Sequence, residues 1–508
     1  MARRSRQPLG WRSLWLGFAV AGGVLWAGCF GISAFRIAPW IALAPLFLLF
    51  DRRGATALVF AWGVAYWAIS LHWIVPTMVT FGGLSAALTW PLFGLLAATL
   101  ALYPTAVVAL TGRVWRSPRP LVGMLAVAAT WVALEWVRSW MLTGFPWNLA
   151  AYAWLEVPGA LAPSTLLGAY GGSFMVVWAN AGVARGLADR DWRPLAWGLL
   201  VPLAVLGTAW RWNERALADG SSRSGVLEAR VLQPDIPNLT VWDPARNASD
   251  YRRLIAQSLE ACDRPGTLLV WPESAAWPRR LGEDARLEQD LRELGRRGCS
   301  VILNTARREG GETFNAAVLV RPDGTRDSYD KQRLVPFGEF VPFRALLPID
   351  DAVTRNVGDF SPGQGSRLLD IQGVSLGLAI CYEVVFPTQL AATVAGGASV
   401  LVSMTNDDWY GPTAAAWQHL RAARFRAAET RRTLLRAAIT GVSAVIGPDG
   451  GLVARAGPGA LGLRGAVVRD GAGAALYVRL APAVPWMAIV VSAFAILLDR
   501  RGRRPAAS

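Results

Sequence analysis

A chain of 508 residues, 53% hydrophobic and 17% charged, is too long for one small domain, too apolar for an ordinary soluble protein and far from disorder. Four cysteines exclude a disulfide scaffold, and two distant histidines, His72 and His419, with no CxxC or HExxH, argue against a metal site. The net charge of +15 does not mark a nucleic-acid binder: residues 1–215 hold 16 Arg against 6 acids, whereas residues 216–498 hold 30 Arg and one Lys against 29 acids.

Apolar runs of about 20 residues predict membrane spans. They fall at 14–33, 37–50, 54–75, 84–110, 120–140, 162–184, 194–212 and 483–498, eight in all. The second is short, and Arg36 interrupts the first pair. Leu25-Trp26-Ala27-Gly28-Cys29 faintly resembles a lipoprotein cleavage box, but Trp26 fits it poorly and apolar sequence continues, so the first span reads as uncleaved with a buried Cys29. Nineteen of the 25 Trp lie in residues 1–215, many near span ends, as an interfacial belt would place them.

Arginine sets the orientation. The N-terminal tail carries Arg3, Arg4, Arg6 and Arg12; Arg52 and Arg53 follow span two; Arg113, Arg116 and Arg119 follow span four; Arg185, Arg190 and Arg193 follow span six; Arg500, Arg501, Arg503 and Arg504 follow span eight. The alternate connections are poor in charge: segment 76–83 has none and 141–161 only Glu156. Both termini are therefore expected on the cytoplasmic side, with the block between spans seven and eight outside the cytoplasm.

From about 226 to 470 short β-rich runs alternate with Arg/Glu-rich helical stretches, an α/β pattern. Strands are predicted at Val226–Leu232, Thr267–Trp271, Ser300–Asn304, Ala316–Arg321, Val374–Ile380 and Ser399–Met404. Helices with charged faces are predicted at Asp250–Cys262, Asp284–Arg297 and Ala414–Thr430. The pairing of Cys262 with Cys299 is open; a disulfide is chemically possible outside the cytoplasm, and two free buried thiols are the favoured reading.

Fifty Arg accompany a single Lys, Lys331. Where Arg fills nearly every cationic position, a lone Lys marks a place that a planar fork does not fit. Glu273 and Cys381 close predicted strands, in Trp271-Pro272-Glu273-Ser274 and Leu378-Ala379-Ile380-Cys381-Tyr382-Glu383. Taken singly, Cys381 reads equally as a core thiol, and Glu273 and Glu383 as loop carboxylates. Taken together the trio is chemically complementary. A carboxylate takes the thiol proton, the thiolate attacks, and the ammonium receives an oxyanion.

These segments resemble the nitrilase, or carbon–nitrogen hydrolase, superfamily, whose Glu–Lys–Cys triad matches Glu273, Lys331 and Cys381. Almost the whole chain resembles the bacterial apolipoprotein N-acyltransferases. Further matches are Gly144-Phe145-Pro146-Trp147, Leu334 to Pro342 and Thr405 to Gly411, although Asp408 and Tyr410 depart from the usual residues of the last motif. The resemblance implies a membrane α-helical bundle of eight transmembrane helices plus an α/β, nitrilase-like αββα sandwich domain. The parts expected are the bundle at 1–215, an extracytoplasmic catalytic domain at 216–480, and the eighth helix with a basic tail at 481–508.

The resemblance also implies a reaction. An acyl chain passes from a membrane phospholipid to Cys381 as a thioester, then to the α-amine of an apolipoprotein's N-terminal diacylglyceryl-cysteine. Glu273 is the implied base, Lys331 the stabiliser of thiolate and oxyanion, and Cys381 the nucleophile. Glu339, Tyr382 and Glu383 are implied supports, and Trp242 and Trp147 implied substrate contacts. No cofactor, metal or nucleic acid is expected, and the protein is expected to be a monomer of the bacterial inner membrane. The alternative is a membrane-anchored amidase or nitrilase that uses the triad with water. A transport reading would rest on Glu135 and Arg138, whose i, i+3 spacing also fits a local pair or support near the catalytic mouth.

Overall fold

The computed structural model describes residues 9–31, 37–220, 226–238, 243–342, 358–457, 463–469 and 473–502. The first part is helical: α1 (Leu9–Gly28), α2 (Ala44–Leu48), α3 (Ala55–Ser70), α4 (Ile74–Thr80), α5 (Ala86–Trp115), α6 (Pro120–Arg138), α7 (Ser164–Asp189) and α8 (Trp192–Gly220). Among the described residues, α5 to α8 are long and apolar enough to cross a membrane, and α3 with α4 makes a fifth span if the pair, bent by 54°, is counted as one. The region 37–50 forms no continuous helix. Pro39 and Pro45 each open a new short turn there, and the 14 residues of Ala38–Asp51 would reach only about 21 Å against a hydrocarbon core of about 30 Å.

Small residues let these helices approach. A Cβ on Gly182 of α7 would lie 2.5 Å from the Gly198 Cα of α8, a contact that no larger residue permits.

The second part is two six-stranded sheets. The first has the order β12-β1-β2-β3-β4-β5, from β1 (Val226–Val231), β2 (Leu268–Val270), β3 (Ser300–Glu309), β4 (Glu312–Val320), β5 (Arg326–Asp330) and β12 (Leu463–Arg469). The second has the order β11-β10-β9-β8-β7-β6, from β6 (Leu369–Ile371), β7 (Val374–Ile380), β8 (Val400–Thr405), β9 (Thr433–Ala438), β10 (Ser443–Ile446) and β11 (Leu452–Ala456). β1, β2 and β3 run parallel, as do β7, β8 and β9. Leu227, Val270, Ile302 and Leu319 of one sheet meet Leu376, Leu378, Val402 and Leu435 of the other in one buried core.

Helices α9 (Pro244–Ala261) and α10 (Ala285–Arg296) cover the outer face of the first sheet, through Leu254, Leu287 and Leu291 against Leu269, Val301 and Val318. Asp243 and Asp284 cap them by accepting from amides of their first turns. Helices α11 (Pro387–Ala395) and α12 (Ala415–Thr430) cover the second sheet, which completes an αββα sandwich. After α13 (Leu476–Leu480), the last described helix, α14 (Val484–Gly502), packs on α6, where Thr130 and Ser492 share a buried hydrogen bond of 2.6 Å.

Two expectations change. Cys262 and Cys299 form a disulfide, with Cα atoms 6.0 Å apart, rather than two free thiols. The end of α9 and the start of β3 lie side by side in the packed layer, a proximity that spacing along the chain does not reveal. Helix α12 does not present a solvated charged face. Arg421, Arg426, Glu429 and Arg431 are all buried. Arg421 donates to the Tyr152 carbonyl, Glu429 accepts from the Ala169 amide at the broken start of α7, and Arg431 donates to Asn213 of α8. The helix belongs to the sandwich, but its charges grip the bundle.

Candidate active site

Glu273, Lys331 and Cys381 each stand just past a strand end, after β2, β5 and β7. The facing of the two sheets brings these ends to one point, and all three side chains are buried. The Lys331 Nζ lies 3.5 Å from Glu273 Oε1 and donates to Glu339 Oε1 at 2.9 Å. Burial works against its charge, but Glu339, Glu273 and Cys381 outweigh that and raise the Lys331 pKa, so the ammonium persists.

The Cys381 thiol feels burial first and the Glu273 carboxylate next; Lys331 opposes both, and the pKa is pushed up to about 12. The resting group is therefore a thiol. Glu273 is the carboxylate that acts on it most strongly. Cys381 has φ +51°, left-handed backbone that costs a residue bearing a Cβ about 1–2 kcal/mol. The strain places the thiol at the head of a 3₁₀ turn, Cys381–Val385.

Glu339 belongs to a tight loop. Its Oε2 accepts from the Val335 amide at 2.8 Å while Oε1 faces Lys331, and Phe337 on the same loop is exposed, at φ +59°. Glu383 is a hub. It accepts from the Tyr329 hydroxyl, the Gln332, Arg333 and Ile380 amides and the Gln389 amide group, and so ties the Lys331 loop to the Cys381 turn. The Tyr382 hydroxyl donates to the Gly144 carbonyl at 2.8 Å, which joins that turn to the bundle. Gly144 itself has φ +87°, and a Cβ there would strike the Ser139 carbonyl.

Trp147 is buried between bundle and sandwich; its indole donates to Gln418 Oε1 at 2.7 Å and its ring meets Trp73, Tyr410 and His419. Trp242 lies outside the described residues. Arg138 donates to the Phe145 and Trp147 carbonyls, and Glu135 accepts from the Ala150 amide and the Trp131 indole. Both therefore hold the 144–150 loop.

Sequence reasoning missed three residues here. Asn315 on β4 donates to Glu273 Oε1 at 3.1 Å and to Glu339 Oε1 at 2.6 Å, and so spaces the two carboxylates. The Asn406 amide donates to Glu273 Oε2 at 3.1 Å; its motif was visible but its role was not. His419 reaches the Cys381 carbonyl. Among the described residues no group of three His, Cys, Asp or Glu is placed to hold a metal ion.

Residues 21–182 match the apolipoprotein N-acyltransferase N-terminal domain, and residues 228–473 the carbon–nitrogen hydrolase family. An apolipoprotein N-acyltransferase of Geobacter metallireducens is 32% identical over 95% of this chain and 95% of its own length. That of Photobacterium profundum is 30% identical over 78% of this chain and 77% of its own length. A solved CN-hydrolase superfamily protein from Xanthomonas campestris is 19% identical and overlies 51% of this chain and 97% of its own, with a TM-score of 0.38. With a relative 32% identical over 95% of both chains, the chain belongs to the apolipoprotein N-acyltransferase family.

Proposed function

We propose that this protein transfers an acyl chain from a membrane phospholipid through a Cys381 thioester to the α-amine of the diacylglyceryl-cysteine that begins an apolipoprotein. The observation that carries the reading is the meeting of Glu273, Lys331 and Cys381 in a buried site whose Tyr382 rests on a loop of the helical bundle. Both substrates are anchored in lipid, and extracting their chains into water would cost about 0.8 kcal/mol per CH₂. A site seated on membrane helices avoids that cost.

In the first half-reaction Glu273 takes the thiol proton as Cys381 Sγ bonds to the ester carbonyl carbon. Negative charge develops on the carbonyl oxygen beside the Lys331 ammonium. The intermediate then collapses, the ester C–O bond breaks, and the lysophospholipid oxygen leaves with the proton from Glu273. In the second, the α-amine attacks the thioester, Glu273 takes the amine proton, the C–S bond breaks, and the thiol regains its proton. Asn315, Asn406 and Glu339 keep Glu273 and Lys331 in place through both.

The parts are the bundle at 1–215, the catalytic domain at 216–480 and the closing helix and tail at 481–508, in a monomer whose long apolar helices cross the bacterial inner membrane. The alternating arginine loops support both termini on the cytoplasmic side. The Cys262–Cys299 disulfide suits an oxidising, extracytoplasmic compartment for the sandwich.

The test uses purified protein in detergent, a phospholipid with a labelled acyl chain and a diacylglyceryl-cysteine peptide. Label is expected on the peptide amine with wild type and not with Cys381→Ala. Label appearing only as free fatty acid would make the protein a hydrolase and refute the transfer.

A further inference from the structure

His419 is fully buried on α12, and both of its ring nitrogens have partners. Nε2 lies 3.1 Å from the Cys381 carbonyl oxygen. That oxygen only accepts, so Nε2 carries the proton and donates. Nδ1 lies 3.2 Å from Asp407 Oδ1 and 3.3 Å from an Arg436 guanidinium nitrogen. Arg436 in turn donates to Asp407 Oδ2 at 2.7 Å, and Thr405 at the end of β8 donates to Asp407 Oδ1 at 2.9 Å. All these groups are buried, with Trp147 stacked on the imidazole at 5.6 Å. The ring therefore has one orientation, set from β8, β9 and the bundle.

What it holds is the backbone of the strained residue. Cys381 has φ +51°, a conformation that persists only where its surroundings over-determine it. His419 reaches the carbonyl and not the sulfur, and Glu273 already stands as base, so a proton-transfer role has no support in the geometry. The preceding residue, Gln418, donates to the Ser70 carbonyl of α3 and accepts from Trp147. Two neighbours on one helix thus grip the membrane bundle and the nucleophile's main chain.

We propose that His419 is a positioning residue for acyl transfer: its Nε2–H bond to the Cys381 carbonyl holds the left-handed backbone that directs the thiol at the acyl carbonyl. The inference rests on Cys381 being the nucleophile. A displacement of about 1 Å at a reacting atom costs about 100-fold in rate, and that is the loss expected when the bond is removed.

Two amide replacements separate geometry from simple space-filling. In His419→Gln the side-chain amide nitrogen falls near the place of Nε2 and can still donate to Cys381. In His419→Asn it falls near Nδ1 and cannot reach. The full-length protein in detergent is assayed for acyl-enzyme formation from labelled phospholipid, beside His419→Ala, Cys381→Ala and melting midpoints. The expectation is that His419→Asn and His419→Ala lose about 100-fold in kcat with KM for phospholipid unchanged within about threefold, while His419→Gln stays within about tenfold of wild type. Equal activity of the folded Gln and Asn variants would overturn the proposal, as would a rate in His419→Asn close to wild type. Failure of both to fold would assign His419 to stability and overturn it too. Should Cys381→Ala remain active, the nucleophile itself is misassigned, an outcome distinct from Cys381→Ala being inactive while His419→Asn is not.

Discussion

At the scale of single residues the site turns on one compact cation. The Lys331 Nζ sits between Glu273 and Glu339 in a space closed on all sides. A guanidinium keeps the charge but not the shape, and a larger group in a packed site forces neighbours aside. Lys331→Arg is therefore expected to lower kcat/KM for acyl transfer at least about 100-fold, the cost of losing one oxyanion donor. Turnover within about threefold of wild type would contradict a role for Lys331 as oxyanion donor. The thiol makes a second prediction. Burial and Glu273 push Cys381 up to about 12, above the ordinary 9. Its thiolate fraction then rises about tenfold per pH unit through the whole range in which an ordinary thiol levels off. Alkylation of Cys381 by iodoacetamide, followed by mass spectrometry, is expected to climb steadily from pH 7 to pH 10; a plateau near pH 7 would reveal a standing thiolate. The trio was legible because the chain's single Lys, Lys331, accompanies a Glu and a Cys of complementary chemistry at predicted strand ends, although Glu273 and Cys381 are ordinary taken singly. Asn315 was not legible. Its value lies in standing 3.1 Å and 2.6 Å from two carboxylates supplied by distant segments.

Among the elements α12 matters most. Its Arg and Glu read along the chain as a solvated face, since charge usually marks exposure. Their partners are bundle carbonyls and amides on segments more than two hundred residues away, such as Tyr152 and Ala169, which no local pattern encodes. Strands β1, β2, β3, β4, β7 and β8 were visible as β-branched and apolar runs, whereas β5, with Arg326, Asp327 and Asp330, carries an edge composition that masks it. Under α12 lies Asp407. Burial alone would raise its pKa, but Arg436 and His419 overcome that and bring it down to about 2. A depressed carboxylate contributes stability that is present above its ordinary 3.8 and is lost as the pH falls toward 2. The amount is about 2 kcal/mol. Asp407→Asn is accordingly expected to lower the melting midpoint at pH 7, and the gap to wild type is expected to narrow below pH 4. A gap of the same size at pH 7 and pH 3 would contradict this linkage.

Across the whole molecule, apolar runs made a helical bundle with an inserted α/β block readable. Of the eight runs, four become helices long and apolar enough to cross a membrane among the described residues, five if the bent α3–α4 pair is counted as one, and the second becomes no continuous helix. Pro39 and Pro45 break it into turns too short to cross a membrane. Joining bundle to sandwich are Tyr382 on Gly144, Gln418 on Ser70, and Arg421 on Tyr152. Under the proposed function, this seam fastens the Cys381 turn to the helical bundle that the lipid-anchored substrates would approach. The proposed transfer requires a covalent acyl-enzyme on Cys381. The direct measurement is the intact mass of the purified protein after exposure to phospholipid alone. A gain of one acyl chain, localised to Cys381, removed by hydroxylamine and discharged when the diacylglyceryl-cysteine peptide is added, is the predicted result. An unmodified Cys381 under conditions in which the peptide nevertheless becomes acylated would contradict it.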